Sequence, residues 1–181
     1  PSRGAAAVAV ALDRGVRFFD TAPFYGFGLS EHRFGRVLRR KPRGEFALCT
    51  KVGRLLVPNE DPRGTDTDGF AVPDDLRRQW DFSRDGVLRS IEASLERTGL
   101  DRVDVVYLHD PDEHAEAAFR EGYPALEKLR SEGVVGAIGA GMNQVEMLTR
   151  FVRETDVDVV LCAGRYTLLE LQLETGRTHQ I

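Results

Sequence analysis

The chain has 181 residues, of which 41% are hydrophobic and 30% are charged, and its formal net charge is −4. These values are ordinary for a soluble globular protein with one sizeable core, and they argue against a disordered chain. The negative balance gives no reason to expect nucleic acid as a partner, and no apolar run approaches the ~20 residues that a membrane-spanning helix requires.

Helix and strand alternate in the first part of the chain. An alanine- and valine-rich segment from Ala5 to Arg14 predicts a helix, which leads into a short aromatic strand over 16–20. A second helix, with Ser30 as its N-cap, is predicted to run to Arg40, and a strand follows over 46–52. Residues 53–81 carry several prolines and glycines without clear periodicity, so we expect a long loop there.

The same alternation continues to the end of the pattern. Residues 83–98 give the clearest helical periodicity, and the later elements follow in order: a strand over 103–108, a helix over 115–131, a strand over 134–140, a helix over 143–154 and a strand over 158–163. Gly122 and Pro124 should make the first part of the 115–131 helix irregular. Five strands separated by helices predict an α/β fold built of parallel βαβ units.

Side chains that can carry protons follow three of these strands. Asp20 and Tyr25 follow the first, Lys51 lies at the end of the second, and His109 follows the third. Because parallel α/β folds place their active sites at the carboxyl ends of the strands, we expect these four side chains to meet. Taken alone, Asp20 and Tyr25 are as compatible with a structural role, in which Asp20 starts a turn and Tyr25 caps the core, as with a catalytic one.

The four residue types suit acid-base catalysis. A tyrosine is a poor acid or base at neutral pH, but a nearby ammonium stabilises its phenolate, and a carboxylate keeps that ammonium charged and oriented. We therefore assign Tyr25 as the proton donor or acceptor, with Lys51 as the group that activates it. Asp20 is then the anchor of Lys51, and His109 hydrogen-bonds a substrate oxygen near the phenol.

Three segments resemble the aldo-keto reductase superfamily, and above all its sugar-oxidising members, the L-fucose, D-threo-aldose and pyridoxal dehydrogenases. They are FFDTAPFYG at 18–26, CTKVG at 49–53 and VVYLHDPD at 105–112, with further similarity at 28–31, 81–86 and 139–143. The resemblance implies a (β/α)8 TIM barrel and hydride transfer between NAD or NADP and a sugar or another small carbonyl or alcohol.

The resemblance also implies roles for particular residues. Asp20, Tyr25, Lys51 and His109 match the family's catalytic tetrad. Asn143 would lie near the nicotinamide amide, although the family at large often has Ser-Asn where this chain has Gly-Met at 141–142.

The chain departs from the family in length. A full barrel has about 250 residues and eight strands, so we expect a partial barrel over residues 1–170 that lacks about the first strand and the last two. The segments that grip the cofactor phosphates would then be missing, which leaves NAD and NADP undecided and predicts that the fragment is inactive. Residues 171–181 resemble instead a motif of the RluA-type pseudouridine synthases, and we interpret them as an unrelated tail from a junction between two genes.

Two further sets of residues have open alternatives. Phe24 and Trp80 are candidates for an apolar wall that binds a sugar face, although Trp80 is as compatible with a loop anchor. A metal site among His109, Asp110, Asp112 and His114 is disfavoured because nothing in the sequence fixes its geometry, so no metal is expected.

Cys49 and Cys162 show no spacing of a metal site or of a disulfide framework. We interpret them as free core thiols of a reducing compartment, the cytoplasm. The alternatives to an oxidoreductase are a non-catalytic nucleotide-binding barrel with a regulatory role and a fragment of an RNA pseudouridine synthase.

Overall fold

A parallel sheet of five strands organises the computed structural model, which describes residues 3–66 and 69–164. The strands in chain order are β1 (Phe18–Asp20), β2 (Ala47–Val52), β3 (Arg54–Pro58), β4 (Leu76–Trp80), β5 (Val105–His109), β6 (Ala137–Met142) and β7 (Val159–Cys162). The sheet has the order β1, β2, β5, β6, β7, and every neighbouring pair is parallel. The predicted α/β fold with a partial, curled barrel sheet is confirmed, and its five strands are the five predicted from the sequence.

Helices alternate with the strands of this sheet along the chain and pack against it. They are α1 (Arg3–Asp13), α2 (Leu29–Leu38), α3 (Arg84–Thr98), α4 (Ala115–Ala117), α5 (Tyr123–Ser131) and α6 (Val145–Glu154). A single π-helical turn, Ala118–Gly122, separates α4 from α5, so the predicted irregularity of this region is confirmed. No helix among the described residues is both long enough and apolar enough to cross a bilayer.

The two faces of the sheet carry two different cores. The larger core lies between the sheet and the helices and includes Leu48, Val106 and Phe151, all fully buried. The inner face of the curl carries a smaller cluster around Cys49 and Tyr107. Side chains alternate between the faces along each strand, so a single strand contributes to both cores.

A β-hairpin interrupts the region predicted as a loop. β3 and β4 pair antiparallel as a separate two-stranded sheet, with Arg54 opposite Trp80. The prediction of a loop throughout 53–81 is therefore wrong. Gly53 makes the turn from β2 into β3 with φ of +101°, and a Cβ at this position would collide with the ring of Phe82.

Two smaller predictions are also corrected. Ser30 lies inside α2 and does not cap it, because the N-cap is Gly28 in a left-handed conformation, and the Ser30 hydroxyl accepts a hydrogen bond from Thr21 Oγ1 at 2.8 Å. Cys49 is buried as expected, whereas Cys162 is exposed and does not belong to the core. The tail predicted at 171–181 lies outside the described residues and stays a prediction.

Candidate active site

Lys51 lies near the carboxyl end of β2, with β1 on one side and β5 on the other. Its side chain is only 1% exposed, and Nζ donates hydrogen bonds to Asp20 Oδ2 at 2.5 Å and to the Thr21 carbonyl oxygen at 3.0 Å. Burial raises the pKa of Asp20, and the adjacent ammonium opposes this rise. Because β1 and β2 are parallel neighbours, the predicted anchor lies beside the buried amine.

The Tyr25 ring approaches Lys51 from the turn that follows β1. Lys51 Nζ lies 4.8 Å from the centroid of this ring. The Tyr25 ring is perpendicular to the imidazole of His109, and the two centroids are 5.8 Å apart. The structure therefore brings together all four side chains that the sequence places at strand ends, namely Asp20, Tyr25, Lys51 and His109.

His109 is a buried, neutral imidazole. His109 is only 5% exposed. Its pKa falls from 6.5 to about 2, because burial disfavours the charged form and because Arg54 and Lys51 add positive charge nearby. A neutral imidazole carries one N–H donor and one acceptor nitrogen. Nδ1 is buried and has no hydrogen-bond partner among the described residues. His109 can therefore donate to a carbonyl oxygen without adding a positive charge.

Phe24 and Trp80 both lie at the mouth of the site, with an arginine between them. The guanidinium of Arg54 lies 4.6 Å from the Phe24 ring centroid and 4.3 Å from the Trp80 ring centroid. Arg54 also forms an ion pair with Asp110. The predicted aromatic wall of Phe24 and Trp80 thus includes a cation. That this wall binds a substrate stays a prediction.

Asn143 is exposed directly after β6, at the same edge of the sheet. It lines a cleft of about 380 Å³ together with Arg54, Trp80 and Asp110. This position places an amide side chain beside the end of β5, which carries His109. Its predicted contact with a nicotinamide amide is not tested by this geometry.

A buried ion pair supports β2 from the helix side. Glu31 of α2 is fully buried and accepts hydrogen bonds from Thr50 Oγ1 at 2.7 Å and from Arg97 Nε at 2.6 Å. Thr50 and Lys51 are consecutive residues of β2 and point to opposite faces of the sheet. The strand that delivers Lys51 is therefore fixed to both α2 and α3.

Sequence reasoning assigned no role to Arg54, Asp110 or Glu31. Two of them had a local signal, because Arg54 comes three residues after Lys51 and Asp110 directly follows His109. Glu31 lies in one of the segments that resemble the reductases, but an acid in the first turn of a helix is usually solvated. Nothing in the sequence indicated its burial.

His109, Asp110, Asp112 and His114 do not form a metal centre in the described part of the chain. No group of three or more His, Cys, Asp or Glu side chains there could hold an ion. His114 instead packs against Trp80, with ring centroids 4.8 Å apart.

The sequence is similar to a known protein family and to several characterised enzymes. The family model described as aldo/keto reductase family matches residues 1–178. A D-threo-aldose 1-dehydrogenase of Pseudomonas sp is 56% identical over 169 residues, which are 91% of this chain and 51% of that protein. A pyridoxal 4-dehydrogenase of Microbacterium luteolum is 35% identical over 176 residues, 87% of this chain and 51% of that protein. The chain thus spans about half the length of the curated relatives it matches.

Solved structures show the same fold. A glycerol dehydrogenase of Gluconobacter oxydans superposes with a TM-score of 0.66 and 28% sequence identity, and the match covers 86% of this chain and 43% of that one.

Proposed function

The chain belongs to the aldo/keto reductase family, and from this premise we propose that it supplies the acid-base site of a nicotinamide-dependent oxidoreductase acting on aldoses. The relative with 56% identity is named a D-threo-aldose 1-dehydrogenase, which supports a sugar as the substrate class. Because the chain spans about half of that protein, the proposal concerns the complete protein that carries this chain.

One observation carries the proposal: a buried ammonium lies between a carboxylate and a phenol ring. Lys51 Nζ is 2.5 Å from Asp20 Oδ2 and 4.8 Å from the Tyr25 ring centroid. A positive charge at this position favours a negative charge on the nearby phenol oxygen over the neutral form, and Asp20 keeps the ammonium in place. Tyr25 is thereby suited to exchange a proton with a substrate oxygen.

The four residues then have distinct tasks in aldose oxidation. The phenolate of Tyr25 removes the proton from the hydroxyl at the reacting carbon, and the neutral imidazole of His109 donates a hydrogen bond to the same oxygen. Lys51 stabilises the anionic form of Tyr25, and Asp20 orients Lys51. In the direction of carbonyl reduction the Tyr25 hydroxyl returns the proton.

The donor set at the rim fits a nicotinamide. A bound nicotinamide would supply the hydride acceptor in oxidation or the hydride donor in reduction. Asn143 carries both a carbonyl acceptor and an NH₂ donor, which match the two halves of a carboxamide. It lines the cleft after β6. We propose that Asn143 holds this group, with either NAD or NADP as the cofactor.

The test is Tyr25→Phe in the complete protein, assayed with L-fucose or D-arabinose and either cofactor. General acid-base catalysis contributes about 10²- to 10⁴-fold, so we expect kcat to fall by this factor while circular dichroism and the melting temperature stay unchanged. The measurement is the absorbance of the reduced cofactor.

Tyr123→Phe is the matched control. The Tyr123 hydroxyl donates to Glu127 on the same helix, α5, and has no contact with the four catalytic candidates. Its turnover should stay within about twofold of the parent. Unchanged turnover in Tyr25→Phe would remove Tyr25 from its role. Nucleotide binding without turnover of any sugar or carbonyl would favour the non-catalytic alternative.

A further inference from the structure

Arg54 is fixed at the rim of the candidate active site by groups on three sides. Its guanidinium lies between the rings of Phe24 and Trp80 and pairs with Asp110. The side chain is 14% exposed, so most of its conformational freedom is already lost in the free protein. Binding a ligand to this guanidinium therefore costs little further side-chain entropy, because the side chain is already ordered.

Asp110 provides an acceptor next to this donor. It has a φ of +41°, which is uncommon for a residue other than glycine, and its backbone N–H donates to the Gly141 carbonyl oxygen at 3.0 Å. Unusual backbone conformations of this kind persist where the surrounding structure enforces them, and they concentrate at functional sites. In this conformation Asp110 Oδ2 lies 3.7 Å from His109 Nε2.

The two residues line the same cleft. Arg54, Asp110 and Asp112 border the cleft of about 380 Å³ that also includes Asn143, a volume typical of small-molecule sites. The side chains of Arg54 and Asp110 are 14% and 33% exposed. Their exposed parts offer a donor and an acceptor to a hydroxyl group, which can both donate and accept.

The charges of the cleft select the kind of ligand. The charged residues that line the cleft are one guanidinium, that of Arg54, and three carboxylates, those of Asp110, Asp112 and Glu113, and this balance favours a neutral substrate over a sugar acid or a sugar phosphate. The indole of Trp80 offers an apolar face for C–H groups. This combination of donors, acceptors and an aromatic face matches a neutral molecule with several hydroxyl groups.

We propose that Arg54 and Asp110 form a hydroxyl-binding subsite that selects neutral polyhydroxylated substrates through a hydroxyl group away from the reacting carbon. This inference rests on the proposed function, because the reacting carbon must lie at Tyr25 and His109. Arg54 and Asp110 take no part in proton transfer and act as specificity residues.

The test compares Arg54→Met in the complete protein on L-fucose and on its singly deoxygenated analogues. Loss of a hydrogen bond to a charged group weakens binding roughly tenfold to a hundredfold, so KM for L-fucose should rise by that factor while kcat changes less than about threefold. For the analogue that lacks the recognised hydroxyl, KM should be nearly the same with and without the substitution. An equal rise of KM for every analogue would overturn the proposal and assign Arg54 a structural role.

Asp110→Asn gives an independent variant if Arg54→Met does not fold. Asparagine tolerates a positive φ and keeps the shape of the side chain, so the fold should persist. KM for L-fucose should rise again, and the effect should be absent for the same deoxygenated analogue. A KM for L-fucose equal to that of the parent would contradict the proposal.

Arg150→Met is the matched control. The Arg150 guanidinium also lies against an aromatic ring, 4.6 Å from the Phe119 centroid, and pairs with Glu154, but it belongs to the helix layer on α6. KM for L-fucose should not change in this variant.

Calorimetric titration with L-fucose separates the inference from the proposed function. Sugar binding that is lost in Arg54→Met supports the subsite even if no turnover is detected, whereas absence of sugar binding to the parent protein overturns it.

Discussion

At the scale of single residues, His109 shows how burial can fix a protonation state. Two cations, Arg54 and Lys51, lie near it, and water is excluded from its ring, so the charged imidazole is disfavoured far below neutral pH. In the unfolded chain the same side chain would titrate near 6.5. The difference between these two states links the stability of the fold to pH.

We predict that His109 makes the protein less stable as the pH falls below about 6.5. The unfolded chain binds a proton at His109 from there downward, whereas the folded chain does so only near a pKa of about 2. The stabilisation is therefore fully present above pH 6.5 and is lost by up to about 1.4 kcal/mol per pH unit below it. His109→Gln should flatten this dependence, as measured by urea unfolding between about pH 7 and pH 5.

The buried carboxyl groups of the site change the stability of the fold with pH in the direction opposite to His109. Burial raises the pKa of Asp20 and of Asp110, so each contributes stability that is present below its unfolded pKa and is lost as the pH rises through its folded pKa. The difference between the parent and His109→Gln at each pH isolates the imidazole. Parallel stability curves for the two proteins would contradict the prediction.

The catalytic candidates could be predicted from the sequence because each lies at or just after the end of a buried strand. Asp20, Lys51 and His109 mark the ends of apolar runs, and their convergence follows from parallel pairing alone. The position of Arg54 could not be predicted in this way. Its contacts depend on Trp80, which the β3–β4 pairing brings across from another part of the chain.

At the scale of elements, the β3–β4 hairpin is the feature that the sequence concealed. Its strands are separated by 17 residues rich in proline, glycine and charge, from 59 to 75, which is far longer than the two-residue connection that makes a hairpin easy to recognise. β4 consists of Leu76, two arginines, a glutamine and Trp80, a composition with little strand propensity. β4 pairs along its whole length with β3, and Trp80 contacts Arg54 across this pairing and stacks on Phe82.

We predict that Gly53→Ala destabilises the protein by about 2 to 4 kcal/mol. Alanine at a φ of +101° is strained, and its Cβ would displace the ring of Phe82. Urea unfolding measures the loss.

Gly44→Ala is the control for this substitution. No atom lies within 4 Å of the position that its Cβ would take, and Gly44 belongs to a short surface turn. The change should stay within about 0.5 kcal/mol. Equal stabilities of the two variants would show that the turn into β3 adapts to a side chain.

At the scale of the whole molecule, the described sheet has two edges. β1 and β7 each pair with one neighbour among the described residues, and β1 carries Phe18 with 53% of its surface exposed. An unpaired strand edge beside exposed apolar side chains is a template for association between chains.

We predict that the 181-residue chain, expressed by itself, self-associates through this edge. Light scattering after size-exclusion chromatography should show species larger than a monomer, and Phe18→Lys should reduce them because a charged side chain on an edge strand opposes pairing. Val10→Lys changes a residue of similar exposure, 57%, on α1, and should have little effect. A monomer with a cooperative thermal transition would contradict the prediction.

Thr50 and Lys51 point to opposite faces of β2, so this strand should tolerate substitutions better than changes in its length. One residue reaches Glu31 among the helices, and the next reaches Asp20 and Tyr25 on the inner face. Deleting or inserting a single amino acid upstream within this strand would exchange the two surroundings, so the amine of Lys51 would face the helix layer and the hydroxyl of Thr50 would face the inner side of the sheet. Natural variation in length should therefore accumulate in the connections on either side and leave the spacing inside the strand untouched.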